Sequence, residues 1–183
     1  MRIAVTGTHR VGKTTLVEDF LAAHPSYGHE PEPYHALCEL GVGFADEPEI
    51  DDFLRQLEHS IDRLDARSAE ADVIFDRCPL DIVAYLQVLG ERDGEVDIDD
   101  LLDGVEEAVR TLDLVVFLPL TSADAAGIVD VEQPVLRRLV DRKLKTILRD
   151  DTLGLFDEDG PRLVEIMGPP AARLEALARA VGS

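Results

Sequence analysis

Residues 2–15 read Arg-Ile-Ala-Val-Thr-Gly-Thr-His-Arg-Val-Gly-Lys-Thr-Thr, and this stretch decides the fold of the chain. An apolar run over residues 2–6 is followed by the spacing Gly-x-x-x-x-Gly-Lys-Thr, which begins at Gly7 and ends at Thr14. This spacing is typical of a P-loop, whose glycines let successive backbone N–H groups converge on phosphate oxygens. A P-loop needs a strand before it and a helix after it, and the flanking residues predict both. The alternative is a glycine-rich turn that binds nothing, which Lys13 at its position disfavours.

The loop residues have expected roles in binding a nucleotide. Lys13 supplies a positive charge for the β- and γ-phosphates, and the Thr14 hydroxyl is placed to bind Mg²⁺. The helix that begins near Lys13 adds the positive end of its dipole. ATP or GTP, together with Mg²⁺, is therefore the expected ligand. The expected nucleotide contacts are Gly7, Thr8, His9, Arg10, Val11, Gly12, Lys13, Thr14 and Thr15.

The composition predicts a single cytoplasmic domain without nucleic-acid or membrane partners. The chain has 183 residues, enough for one well-formed core and too few for two. Its formal net charge of −20 disfavours nucleic acid and anionic membranes as partners. No stretch approaches the roughly 20 apolar residues of a membrane span, and the early first strand leaves no room for a signal peptide. Cys38 and Cys78 suit free thiols in a reducing compartment.

Strand and helix patterns alternate along the chain. Apolar runs predict strands at 2–6, 73–76, 114–118 and 162–167, with a weaker edge strand at 27–32. Apolar residues at helical spacing predict helices at 13–23, 49–69, 79–89, 98–112, 134–148 and 171–181. We therefore expect an α/β chain with a three-layer P-loop NTPase fold, a parallel sheet of about five strands and helices on both faces. Residues 1–183 are expected to form one domain, with a helical lid at about 127–150.

An acidic residue and an arginine end the predicted strand at 73–76. In P-loop proteins a carboxylate at this place can lie beside the loop and bind Mg²⁺, so Asp76 joins Thr14 as a candidate metal ligand. Arg77 would face the same cavity and either grip a substrate phosphate or orient a neighbouring carboxylate. The alternative is an ordinary turn into the helix at Pro79.

Two further groups are candidates for phosphoryl-transfer chemistry. Glu32, which lies between two prolines, can accept a hydrogen bond from an acceptor hydroxyl and orient it for in-line attack. A basic helix covers residues 137–149, and Arg137 and Arg138 near its start are candidates to clamp the transferred phosphate. The alternatives are a plain acidic loop at Glu32 and a solvated basic face on the helix.

Other positions are candidates for binding the base or the acceptor. Gln56 can read a polar edge, although such a glutamine is more often simply exposed to solvent. The loop at residues 168–170 is a candidate to hold the base of the nucleotide, with Arg173 beside it. The chain has no tryptophan and only 5% aromatic residues, so an aromatic platform for an acceptor is hard to place. This disfavours specificity for nucleosides.

The segments Gly7 to Thr14, Glu32-Pro33-Tyr34 and Asp76-Arg77-Cys78-Pro79, followed by the basic helix, resemble the P-loop kinase group. The resemblance covers nearly the whole chain and is strongest to deoxynucleoside kinases, nicotinamide riboside kinase domains and small bacterial "AAA domain" ATP-binding proteins. It implies that Glu32 is the base on the acceptor hydroxyl. It also implies that Asp76-Arg77 lies next to the phosphates, with Cys78 where those kinases have serine, and that Arg137 and Arg138 belong to a lid.

Three functions stay open at this point. The first is ATP- and Mg²⁺-dependent phosphoryl transfer to a nucleoside- or nucleotide-like small molecule. The second is a regulatory NTPase that acts on a protein partner, and the third is a module that binds nucleotide without turnover. The chain has no asparagine, so it lacks the Asn-Lys-x-Asp loop with which Ras-like GTPases recognise guanine. For phosphoryl transfer, the candidate catalytic residues are Lys13, Glu32, Asp76, Arg77, Arg137 and Arg138.

The sequence leaves the acceptor, the preference for adenine or guanine and the oligomeric state open. Leu86, Val88 and Leu89 are apolar positions that suit either the core or a homodimer interface.

Overall fold

One parallel sheet forms the centre of the computed structural model, which describes residues 1–45, 47, 49–94, 96, 98–121 and 133–182. Its strands in chain order are β1 (Arg2–Thr6), β2 (Gly28–Glu30), β3 (Val73–Asp76), β4 (Leu114–Phe117) and β5 (Arg162–Glu165). Neighbouring strands are parallel, and their spatial order is β2-β3-β1-β4-β5. The five predicted strands are confirmed, and the proline-bounded strand is at the edge as expected.

The described residues form seven helices between and after the strands. They are α1 (Lys13–Ala23), α2 (Pro33–Glu39), α3 (Ile50–Ala66), α4 (Pro79–Asp93), α5 (Asp99–Arg110), α6 (Pro134–Arg149) and α7 (Pro170–Val181). Six of them match predicted helices apart from a few residues at their ends. Helix α2 was missed because it has only seven residues and begins with proline, which in the sequence is typical of a turn.

The sheet separates two apolar layers. Side chains alternate between the faces of a strand, so Ile3 and Val5 of β1 point to one layer and Ala4 to the other. Helices α1 and α7 cover the first layer, and α3, α4, α5 and α6 cover the second. Leu86, Val88 and Leu89 of α4 are buried in the second layer and belong to the core. The three-layer α/β prediction is therefore confirmed.

The register of the sheet brings the predicted site residues to one edge. Val5 pairs with Asp76 across β1 and β3, so the end of β3 lies beside the point where β1 passes into the P-loop. Helix α6 packs along α4, and its first turn lies near the same edge. The predicted lid at about 127–150 falls partly on residues 122–132, which are outside the described part of the chain.

Two further sequence expectations concern the cysteines and the absence of a membrane span. Cys38 is exposed and Cys78 is buried, and both are free thiols. Of the described helices, none has the length and apolar character needed to cross a membrane.

Arg2 ties the sheet to two helices at the edge opposite the P-loop. Its guanidinium donates to the carbonyl oxygens of Thr111 at 2.7 Å and Leu64 at 2.8 Å, and also to that of Arg67. These carbonyl groups belong to the ends of α5 and α3, where a helix leaves its last carbonyls without intrahelical partners. A buried arginine thus closes two helix ends at once.

We expect Arg2→Leu to destabilise the fold without affecting the P-loop edge. The substitution leaves one buried and two partly buried carbonyl groups without their arginine donor, and an unpaired buried group costs roughly 1–3 kcal/mol. The free energy of unfolding measured in urea should fall by about 3 kcal/mol. The control is Arg179→Leu, because Arg179 has a side chain 72% exposed and lies 3.9 Å from Glu175, an arrangement typical of a weak surface ion pair. Equal losses in the two variants would show that the Arg2 contacts do not stabilise the fold.

Candidate active site

Lys13 closes the P-loop from within. Its Nζ donates to the carbonyl oxygens of Gly7 at 3.0 Å and Thr8 at 3.1 Å. Gly7 has a φ of 149°, and a Cβ at this position would lie 2.6 Å from the carbonyl oxygen of Leu118, so only glycine fits. Burial, followed by the charge of Arg77, lowers the pKa of Lys13. The ammonium group is therefore held in a desolvated place where an anionic phosphate would stabilise its charge.

Two arginines from distant helices hold the outer side of the loop. Arg137 of α6 donates to two loop carbonyls and Arg173 of α7 donates to a third. The accepting oxygens are those of His9 at 3.0 Å, Arg10 at 3.1 Å and Val11 at 2.6 Å. With the two carbonyls bound by Lys13, all five successive carbonyls of residues 7–11 accept from a cationic side chain. The partial negative charges of these oxygens are thereby compensated, which favours binding of an anion by the N–H groups of the loop.

Helix α1 begins with an N-terminus that is open to a ligand. Gly12 has a φ of 95° at the N-cap, no hydrogen bond from a described side chain caps the helix, and its first turn has no acidic residue. The free N–H groups of such a helix end bind anions. Thr14 and Thr15 are exposed in this first turn, so their hydroxyls can reach a bound nucleotide.

Asp76 is the carboxylate that best fits a metal ion. The residue is buried, and its Oδ1 has no hydrogen-bond partner among the described residues. A buried carboxylate oxygen without a donor is costly unless an ion or ligand compensates it. The described residues contain no cluster of three or more His, Cys, Asp and Glu that could hold a metal. Asp76 and Thr14 would therefore leave most positions to water and phosphate oxygens, as is usual for Mg²⁺.

Buried Arg77 and partly buried Glu32 form an ion pair beside the loop. The Nε of Arg77 donates to Oε1 of Glu32 at 2.9 Å, and Nη2 of Arg77 bonds to the same oxygen. Arg77 has a φ of 110°, which is costly for a residue other than glycine and is often found at functional sites. The second oxygen of Glu32, Oε2, lies outside this pair and is 4.0 Å from Nε2 of His35. Arg77 thus fixes one oxygen of the carboxylate and leaves the other outside the pair.

The charge of Glu32 is set by its neighbours. Burial alone would raise the pKa, but the charges of Arg77 and Lys13 lower the pKa of Glu32 to about 2. The carboxylate is therefore ionised at neutral pH and is a strong hydrogen-bond acceptor but a weak base. It is better suited to orienting an acceptor hydroxyl than to holding its proton.

A cavity of about 340 Å³, the α3 cavity, opens above this pair. Four aromatic side chains line it: Tyr34, Phe44, Phe53 and Tyr85. The rings of Phe53 and Tyr85 are stacked at 4.7 Å between centroids, and those of Tyr34 and Phe44 are also 4.7 Å apart. Aromatic walls of this kind can hold a planar ring. The sequence expectation that an aromatic platform is hard to place was therefore wrong.

Helix α3 supplies a polar end to the α3 cavity. Gln56 is 5% exposed and its Nε2 donates to the carbonyl oxygen of Asp52 at 3.1 Å. The carboxylate of Asp52 accepts from the backbone N–H of Ala45 at 3.2 Å. Gln56 thus lines a cavity, and the alternative that it is merely exposed to solvent was wrong.

A second cavity of about 560 Å³, the α7 cavity, adjoins the loop and the loop after β5. It is lined by Gly12, Thr15, residues 168–170 and Arg173. That this cavity holds the base of a nucleotide stays a prediction. Nε of Arg173 donates to the carbonyl oxygen of Gly168 at 2.7 Å and so fixes this wall. Arg10 lines both cavities. The P-loop therefore lies between two separate cavities.

The structure brings together all the predicted catalytic residues except one. Arg138 is exposed on α6, and the described residues show no contact between it and the loop, so its role stays a prediction. Two further residues near the site were missed. The hydroxyl of Tyr85 lies 2.7 Å from Nδ1 of His9, and Asp81 is fully buried beneath Arg77. A carboxylate and a tyrosine within the apolar run of residues 79–89 are the signal that could have found them.

Several solved structures have a fold similar to that of the chain. Deoxyadenosine kinase from M. mycoides with bound dATP aligns with a TM-score of 0.69 and 15% identity, over 100% of each chain. The NadR protein in complex with NAD and AMP-PNP aligns with a TM-score of 0.69 and 17% identity, over 100% of this chain and 49% of NadR. Thymidylate kinase from Candida albicans aligns with a TM-score of 0.61 and 15% identity, over 99% of this chain and 90% of the kinase.

The sequence comparison identifies the family of the chain, and the solved structures identify its fold. No curated protein sequence matches the chain. A family model described as an AAA domain matches residues 2–155, which is most of the chain. At identities of 15–17% the solved structures establish the fold alone. The chain therefore belongs to the AAA domain family and has the fold of the P-loop kinase group.

Proposed function

We propose that the chain transfers the γ-phosphoryl group of ATP, with Mg²⁺, to a hydroxyl group of a nucleoside- or nucleotide-like small molecule. The observation that carries this proposal is the position of the P-loop between two cavities. A nucleotide with its base in the α7 cavity would place its phosphates on the loop, and the α3 cavity would then hold an acceptor. Hydrolysis alone would need no second cavity with aromatic walls.

The residues of the chain bind, neutralise and orient the reacting groups. On nucleotide binding, Lys13 would exchange its hydrogen bonds to Gly7 and Thr8 for bonds to phosphate oxygens. Thr14 and Asp76 would hold Mg²⁺, which supplies positive charge to the β- and γ-phosphates when it is bound. Because the transition state is stabilised mainly by position and charge, these contacts account for most of the expected catalysis.

Glu32 would orient the acceptor. Its Oε2 can accept a hydrogen bond from the acceptor hydroxyl while Arg77 holds Oε1. A hydroxyl held in line with the γ-phosphate gains reactivity from its orientation. When the bond from phosphorus to the leaving ADP breaks ahead of the bond to the hydroxyl, the hydroxyl does not need a base of high pKa. The aromatic walls of the α3 cavity would exclude water from this place.

We expect Lys13→Ala and Asp76→Ala to reduce acceptor-dependent ADP formation severely. Each substitution removes a group that stabilises the phosphates, so kcat should fall by roughly 100-fold or more. The assay couples ADP release to a panel of nucleosides, nucleoside monophosphates and related hydroxyl compounds. Lys143→Ala is the matched control, because Lys143 pairs with Glu91 on the surface. This variant should retain full activity. The proposal fails if no acceptor raises ADP release above the background rate of hydrolysis.

We expect Glu32→Gln to lower kcat by roughly 100-fold while ATP affinity stays the same, because the substitution weakens the orientation of the acceptor and leaves the loop contacts in place. Steady-state kinetics and titration calorimetry separate the two quantities. An unchanged kcat would remove Glu32 from the reaction.

The pH dependence of stability tests the Glu32–Arg77 pair independently of activity. A carboxylate whose pKa is about 2 when folded and near its ordinary value when unfolded stabilises the fold above the unfolded pKa. Glu32→Gln should therefore lower the free energy of unfolding by about 3 kcal/mol above pH 5 and by less than half of that near pH 3. A difference that does not depend on pH would contradict the pair.

Arg137 and Arg138 form a matched pair for testing how the loop is held. Arg137→Gln removes hydrogen bonds to two loop carbonyls and should weaken ATP binding about tenfold, measured by calorimetry. Arg138→Gln should leave the affinity unchanged, since Arg138 is exposed. Equal losses of affinity in both variants would show that the two arginines act alike on the phosphates, as the sequence predicts.

A further inference from the structure

Asp81 is a buried carboxylate that the mechanism above does not use. It lies in the first turn of α4 with 0% of its surface exposed. Its Oδ1 accepts the backbone N–H of Cys78 at 3.0 Å, while Oδ2 has no hydrogen-bond partner among the described residues. Oδ2 instead lies 3.6 Å from Nη1 of Arg77. One oxygen thus caps the helix, and the other faces the guanidinium.

Arg77 is consequently held between two carboxylates. Its Nε and Nη2 bond to Glu32, and its Nη1 faces Asp81. The guanidinium carbon lies 5.8 Å from the ring centre of Tyr85, and the backbone N–H donates to the carbonyl oxygen of Val5 at 3.1 Å. Nε and Nη2 are hydrogen-bonded to Glu32, whereas Nη1 is buried, has no hydrogen-bond partner among the described residues and lies at ion-pair distance from Asp81. A further anion would therefore meet a guanidinium whose positive charge two carboxylates already offset.

The charges around Asp81 keep this group of side chains negative. Burial raises the pKa of Asp81 to about 6, although Arg77 and Lys13 act against this. Above pH 7 the carboxylate is therefore mostly ionised. Asp81 and Glu32 together carry two negative charges against the single positive charge of Arg77. Lys13 also faces this group, but in the proposed function its charge is taken up by ATP.

The charged side chains of the α3 cavity also disfavour a second phosphate. Glu32 and Asp52 line the cavity as carboxylates, and Arg10 and Arg77 line it as guanidinium groups. Phosphate sites in proteins usually present an arginine whose parallel N–H groups meet the phosphate oxygens. Arg77 presents its N–H groups to Glu32 and Asp81, while the phosphates of ATP would add negative charge beside Arg10.

We infer that Asp81 is a specificity-determining residue, which keeps Arg77 from binding a phosphate on the acceptor and so restricts the α3 cavity to unphosphorylated, nucleoside-like acceptors. This inference rests on the proposed function. That function leaves open whether the acceptor is a nucleoside or a nucleotide, and the inference selects the nucleoside. The fold does not make this choice, because both a deoxyadenosine kinase and a thymidylate kinase are similar to the chain.

The test measures the affinity for matched acceptors by calorimetry at pH 8. The protein is saturated with Mg²⁺ and AMP-PNP and titrated with deoxyadenosine, deoxycytidine and thymidine, and with the 5′-monophosphate of each. The wild-type protein should bind at least one nucleoside about 100-fold more tightly than its monophosphate. In Asp81→Asn this ratio should fall to about tenfold or less, chiefly because the monophosphate binds more tightly.

The matched control is Asp141→Asn. Asp141 is also buried, accepts the backbone N–H of Leu120 at 2.7 Å with one oxygen, and pairs with Lys145 at 2.5 Å through the other. Its partner is Lys145 and not Arg77, so the wild-type ratio should be retained. If Asp81→Asn fails to fold, Asp81→Ser keeps a small acceptor for the N–H of Cys78 and replaces it in the test.

The outcomes separate this inference from the proposed function. A wild-type protein that binds and phosphorylates a monophosphate better than its nucleoside overturns the inference and leaves the kinase proposal intact. A lower melting temperature in Asp81→Asn with an unchanged ratio shows a merely structural role and also overturns it. Absence of any acceptor-dependent turnover is a failure of the proposed function itself.

Discussion

Cationic side chains that bind the carbonyls of the P-loop are the interaction on which the rest of the site depends. Lys13, Arg137 and Arg173 come from α1, α6 and α7, and together they engage five successive carbonyls. The central position of β1 makes this possible, because helices from both faces of the sheet can reach its end. The loop conformation is therefore set by tertiary contacts as well as by its glycines. Compensated carbonyls and an uncapped helix N-terminus leave a surface that favours anions.

On the acceptor side of the loop, carboxylates compensate a cation, whereas at the loop itself cations compensate carbonyl oxygens. Arg77 lies between Glu32 and Asp81, and we infer that these two carboxylates keep it from binding a phosphate on the acceptor. The unfavourable backbone of Arg77, with a φ of 110°, is maintained by these partners and by the register of β3 against β1. Under the proposed function, one side of the loop would hold the polyphosphate and the other an oriented, uncharged acceptor group. This division is what a transfer reaction between unlike substrates requires.

The sequence predicted the parts of the site that depend on local pattern. The P-loop and the residues at the end of β3 could be located because strand, turn and helix follow one another within a few residues. The aromatic walls could not, since Tyr34, Phe44, Phe53 and Tyr85 are far apart along the chain and converge only through the packing of α2, α3 and α4. Asp81 was missed for the same reason, because its role depends on where the Arg77 side chain points in the folded chain. Short α2 escaped detection since seven residues carry too little periodicity.

The binding of a polyphosphate by the loop amides is the central claim, and NMR spectroscopy tests it most directly. Titration of ¹⁵N-labelled protein with AMP-PNP in the presence of Mg²⁺ should shift the amide signals of Gly12, Lys13 and Thr14 more than those of β2 or α5. Saturation should occur at a single nucleotide per chain. Unchanged signals at these three residues, or larger shifts at a site away from the loop, would contradict the account.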